Sequence, residues 1–181
     1  MASGRTHQKG YIWGLAALAA AGAFLLYNGS ILPEDAGGLL VGGVLGLLID
    51  PDVRDQHNIT TRGERRVWRA PLVGPILGYL FQVYWYPLAL WIPHRSFLSH
   101  CPGIATAVAA AWLILPPAAA GYYLTGGNLQ APFGVWLLSW YQPWMPAAFL
   151  GWCFQDTIHL ALDGFRFTWH VFGQGAYGKG N

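Results

Sequence analysis

The sequence predicts an all-α, multi-pass membrane helical bundle, and three observations lead there. Only 10% of residues are charged while 54% are hydrophobic, against a charged share of about 25% in soluble domains. The hydrophobic residues fall in long runs separated by short polar or turn-forming stretches. One arrangement of those runs puts every Lys and Arg on a single side. A length of 181 residues suits one domain, read as a membrane-embedded 1–164 followed by a flexible, Gly-rich tail at 165–181. The net charge of +2 is too small to argue for nucleic acid. The partner implied by composition is the lipid bilayer.

The apolar run 11–27 is about the shortest stretch that spans a bilayer. Arg5 and Lys9 ahead of it imitate a signal peptide. The small-residue stretch Ala19-Ala20-Ala21 lies inside the run rather than after it, so an uncleaved first helix is expected. Asn28-Gly29-Ser30 then turns the chain. Pro33 with Glu34 and Asp35 has the form of a helix start, with proline in the first turn and acids at the positive end of the dipole. The span expected here is 31–50, and its glycines 37, 38, 42, 43 and 46 predict close helix packing. Residues 50–69 form a polar loop with five arginines, Arg54, Arg62, Arg65, Arg66 and Arg69. Such a loop fixes topology and touches anionic lipid headgroups. Prolines and glycines break 70–93, which also carries Tyr84-Trp85-Tyr86 and Trp91. It is expected to be interfacial or re-entrant. Two more spans follow at 103–124, interrupted by Pro116-Pro117, and at 131–154, with Pro143 and Pro146. The total is about four transmembrane helices.

With 70–93 returning to the side it left, Arg5, Lys9, Arg54, Arg62, Arg65, Arg66, Arg69, Arg95, Arg166 and Lys179 share one face, and these are all ten basic residues. Glu34 and Asp35 mark the other. The positive-inside rule then puts both termini in the cytoplasm.

All six histidines fall on that basic face. The densest polar stretch is Pro93-His94-Arg95-Ser96-Phe97-Leu98-Ser99-His100. Polar groups inside an apolar chain are costly unless they have work or partners. Asp50 and Asp52 end the second span. Asp156, His159 and Asp163 are spaced i, i+3, i+7 and share a helix face. Imidazole and carboxylate together suit zinc, iron or manganese. The expected ligands are His7, Asp52, His94, His100, His159 and Asp163. That is more than one tetrahedral ion uses, so one or two divalent ions are expected, zinc first. Asp50 or Asp156 is expected as general base, or as a group that orients a histidine. Arg95 is expected to clamp a phosphate or developing negative charge. Ser96 and Ser99 are hydrogen-bond partners, not nucleophiles. His57 and His170 are read as surface residues. Cys101 and Cys153 give no disulfide framework, and Cys101, beside His100, is the one nearer a metal role.

Ser3-Gly4-Arg5-Thr6-His7, Pro51-Asp52 after a Gly-rich helix, and His94-Arg95-Ser96-Phe97-Leu98-Ser99-His100 resemble a family of small bacterial membrane proteins, common in cyanobacteria, the DUF2227 family. His159 with Asp163 is similar to its last element. The resemblance covers nearly the whole chain and implies a metal-binding protein of a bacterial inner membrane, plasma or thylakoid. The family is in turn similar to inner-membrane proteins named as metal-dependent hydrolases, which implies a reaction class without a substrate. One departure stands out. The family pattern reads Pro-Asp-x-Asp, and position 54 here is Arg54. Asp50 and Asp55 are the acids placed to stand in for it.

Two functions stay open to the sequence. One is a membrane-bound metal-dependent hydrolase acting on a lipid or phosphoester. The alternative is a non-catalytic metal-binding or structural subunit, or assembly factor, of a larger membrane complex, for instance a photosynthetic one.

Overall fold

The computed structural model describes residues 4–49, 74–92, 96–127 and 131–164, all of them helices and the turns between them. The helices are α1 (Gly4–Tyr27), α2 (Pro33–Leu48), α3 (Gly74–Trp91), α4 (Phe97–His100), α5 (Ile104–Leu124), α6 (Phe133–Leu138) and α7 (Met145–Leu162). No strand occurs among the described residues, so the all-α expectation holds.

Two described helices are long and apolar enough to cross a membrane, Thr6–Tyr27 and Ile104–Leu124. Only 22% and 17% of the residues in their most apolar windows are buried within the protein. A soluble core helix would be mostly covered, whereas these present Trp13, Phe24, Tyr123 and Leu124 outward. The other two expected spans differ from expectation. Instead of 31–50, α2 has 16 residues, about 24 Å at 1.5 Å per residue. The expected span 131–154 is not one helix: α6 stops at Leu138 and α7 starts at Met145. Pro143 lies in this gap, where it lacks an N–H and disfavours the helical region for the residue before it. The broken segment 70–93 turns out, from Gly74 to Trp91, to be one helix that runs through Pro87. Likewise α5 continues through Pro116 and Pro117.

The bundle is centred on α2 and α7, which lie backbone to backbone. A Cβ at Gly42 would sit 1.7 Å from the Ala148 carbonyl oxygen, and one at Gly151 would sit 2.2 Å from that of Leu39. Gly38 faces Trp144 and Ala147, and Gly46 faces Gln155 and Trp152, so the two helices run in the same direction. Small residues at these positions are what let the two backbones approach so closely. Gly37 faces open space instead. The start of α2 is built as expected. Pro33 and the acids Glu34 and Asp35 open it, and the Leu32 amide donates to Asp35 Oδ2 at 3.2 Å.

The helix α3 joins through an apolar cluster of Ile49, Trp85, Ala109 and Trp152. A second contact between α3 and α5 is polar. Pro116 and Pro117 have no N–H, so the carbonyls four residues back, at Trp112 and Leu113, lose their helical partners. The Tyr84 hydroxyl donates to both of these carbonyls, and Trp112 Nε1 donates to the Tyr84 carbonyl at 3.1 Å. One tyrosine therefore satisfies both carbonyls that the proline pair exposes.

Candidate functional site

The parallel run of α2 and α7, with α1 antiparallel to both, gathers the start of α1 and the ends of α2 and α7. The α4–α5 junction meets them there. Of the nine expected site residues, His7, His100, Asp156, His159 and Asp163 are described. Asp50, Asp52, His94 and Arg95 lie outside the described residues, as do the arginine loop and the tail.

His159 lies in the last turn of α7, and its ring is fully buried. Asp163 follows the last helical residue and stays four residues from His159. Their Nε2 and Oδ2 atoms are 3.7 Å apart. The chain can stop there because Gly164 takes a φ of 74°, a left-handed value that suits glycine at a helix end. Its amide donates back to the Ala161 carbonyl at 3.0 Å. His7, from the second turn of α1, puts Nε2 3.2 Å from Asp163 Oδ1, and its ring meets that of His159 edge-on at 4.5 Å. From the other side comes His100, fully buried, its ring centre 5.3 Å from that of His159.

Ligand atoms of His100, His159 and Asp163 all lie within 4.8 Å of one another, and these three residues can hold a metal ion. Their surroundings favour it. Ser99 Oγ donates to the Ser96 carbonyl at 3.1 Å and lies 2.8 Å from His100 Nδ1. With the hydroxyl proton given to that carbonyl, the His100 contact runs from Nδ1–H to Ser99 Oγ. His100 then carries its lone pair on Nε2, the nitrogen on the far side of the ring. His159 has the Tyr11 hydroxyl 2.6 Å from Nδ1, which leaves its Nε2 directed at Asp163. Ring nitrogens that ligate metals are commonly fixed in this way, through a partner on the other nitrogen.

Asp156 lies outside the trio. It is fully buried, and Thr106 Oγ1 donates to its Oδ2 at 2.6 Å. The bond joins α7 to the first turn of α5, just past His100. It therefore holds the His100 segment against the His159 helix. Cys101 takes no part in the trio. Burial raises its thiol pKa, which disfavours the thiolate a metal would bind.

Three residues of the site were not singled out from the sequence: Tyr11, Thr106 and Gln155. Tyr11 sits four residues after His7 on the same face of α1, a spacing that was there to be read. Gln155 sits four before His159, with Nε2 donating to the Tyr11 carbonyl at 3.1 Å. Its side chain takes the space that a Cβ at Gly14 or Gly46 would fill. Thr106 has no such local signal, since only the fold brings it to Asp156. Comparison of the chain with protein-family models, curated proteins and solved structures gives no match.

Proposed function

We propose that this chain is a membrane-bound metal-dependent hydrolase of the DUF2227 type. Its site lies at the cytoplasmic face of a bacterial inner membrane, with both termini on that side. The observation that carries the reading is the buried trio His100, His159 and Asp163, with ligand atoms within 4.8 Å of one another. Two imidazoles and a carboxylate are a ligand set that suits zinc and leaves a fourth position open, as catalytic zinc sites do. Zinc in such a site supplies a Lewis acid and a water of lowered pKa. The chain's own residues do the rest. Ser99 and Tyr11 hold the imidazoles in orientation, Asp163 brings negative charge to a buried cluster, and the Thr106–Asp156 bond keeps the two halves in register. A site near headgroup depth suits a lipid or another interfacial ester, with anionic headgroups drawn to the arginines.

Elemental analysis of the detergent-purified protein tests this. The expected result is zinc or another divalent transition metal at one ion or more per chain. His100→Ala and Asp163→Ala should lose it, and wild type should cleave ester substrates in mixed micelles in a chelator-sensitive way. A metal-free protein recovered inside a larger assembly would overturn the hydrolase in favour of a structural subunit. Metal bound without turnover on lipid or phosphoester substrates would leave a metal-binding protein and remove the enzyme.

A further inference from the structure

We infer that Asp163 bridges two metal positions. One carboxylate oxygen serves the ion held with His100 and His159, and the other serves a second divalent ion held by His7. This rests on the metal reading proposed above and extends it to the class of substrate.

The argument starts from His7. Its side chain is buried, at 5% exposure, in the first turns of an apolar helix. An imidazole in that setting needs a partner. Its Nε2 lies 3.2 Å from Asp163 Oδ1, within ion-pair range, and makes no hydrogen bond. The distance also fits a second relationship. Two ligands of one tetrahedral zinc, at bonds of 2.0–2.1 Å, stand about 3.3 Å apart. Nε2 of His7 and Oδ1 of Asp163 are thus spaced as two donors around a common ion.

That ion is not the first one. The cluster whose ligand atoms lie mutually within 4.8 Å is His100, His159 and Asp163, without His7. The two histidines also address different oxygens of the same carboxylate, His7 at Oδ1 and His159 at Oδ2. A carboxylate with an imidazole at each oxygen, inside a buried pocket, is the arrangement of a bridging ligand. The His7 and His159 rings pack edge-on at 4.5 Å, which places the two positions side by side.

Paired ions recur where phosphoesters are cleaved, because they stabilise both the attacking and the leaving oxygen. The substrate class is therefore a phosphoester, presented at the membrane surface. In the reaction the oxygen of water forms a bond to phosphorus and the ester P–O bond breaks. The proton from water ends on the departing oxygen.

The test uses the full chain in detergent, stripped with a chelator and titrated with Mn²⁺, followed by metal content and electron paramagnetic resonance. Wild type is expected to bind two ions per chain and to show an exchange-coupled pair. His7→Ala, and His7→Gln as the milder variant, should bind one and show an uncoupled six-line spectrum. Circular dichroism and thermal melting identify any variant that has merely unfolded. Asp163→Ala should lose both ions. Inorganic phosphate should perturb the coupled spectrum of wild type and leave the His7 variants unchanged. One uncoupled ion in saturated wild type would overturn the second position and leave the first intact. No bound metal at all would overturn both readings. A coupled pair indifferent to phosphate would overturn the phosphoester assignment, and two ions surviving in Asp163→Ala would overturn the bridge.

Discussion

Tyr11 shows how much of the site depends on single contacts. Its hydroxyl reaches His159 Nδ1 at 2.6 Å from within a ring that is 2% exposed. Tyr11→Phe removes that partner and keeps the ring. Losses of this kind weaken metal binding by about 10–100-fold. A competition titration of the variant against a chromophoric chelator should find a weakening in that range, and unchanged affinity would show that Tyr11 does not orient His159. Cys101 gives a prediction in pH. Burial favours its neutral form, so the thiolate appears only as pH rises beyond the ordinary thiol value of about 8.5. In a Cys153→Ala background, alkylation by iodoacetamide should be slow at pH 8 and rise later than for a small thiol in the same micelle. The histidines and Asp163 were legible at this scale because imidazoles and acids are scarce in an apolar chain. The hydroxyls of Tyr11, Ser99 and Thr106 were not assigned their partners, since a hydroxyl has many uses and its partner is set by the fold.

At the scale of elements, the α2–α7 contact depends on having no side chain at Gly42. A methyl group there would meet the Ala148 carbonyl and the Trp152 amide, and backbone cannot swing aside as a side chain can. Gly42→Ala should cost about 1–3 kcal/mol or more, the range for overpacking. Gly37→Ala, facing open space, should instead gain up to about 1 kcal/mol from the better helix former. Thermal melting of the two variants in detergent compares them directly, and equal effects would mean that the glycines act through propensity alone. Tyr84 is the complementary case. Tyr84→Phe strands the part-buried Trp112 and Leu113 carbonyls and should cost about 1–3 kcal/mol in all, the range for an acceptor left bare. In a Pro116→Ala, Pro117→Ala background the amides return, and the cost of losing the hydroxyl should shrink. Coupling near zero in that cycle would remove the account given for Tyr84. The glycine spacing predicted close packing correctly, while the prolines misled. Composition alone read Pro87 and Pro116-Pro117 as interruptions, and at Pro116-Pro117 the group that satisfies the break, Tyr84, sits on another helix. Pro143 instead lies between two helices, one ending at Leu138 and the next starting at Met145.

For the whole molecule, the candidate site lies where the start of α1 meets the end of α7. The charge count predicted one face for the histidines and for Asp156 and Asp163, and the fold brings His7, His100, His159 and Asp163 together from α1, α4 and α7. Sequence could not give their pairing, which depends on α2 and α7 running parallel and on the Thr106–Asp156 bond. A site that joins three separate elements should stabilise the assembly when it is filled. An ion present at 1,000 times its dissociation constant adds about 4 kcal/mol. Chelation should accordingly lower the melting temperature of wild type, with no effect on Asp163→Ala and an undiminished effect on Tyr84→Phe. An identical chelator shift in Asp163→Ala would mean that the metal acts elsewhere. The Tyr84 contact also bears on how the chain is made. Synthesis runs from the N-terminus, so the hydroxyl that the proline pair needs leaves the ribosome about 30 residues before the pair does. A helix with two bare carbonyls is a poor guest in lipid. When α5 is made, α3 has already been synthesised, so the order of the genetic message matches the order in which the two helices depend on one another.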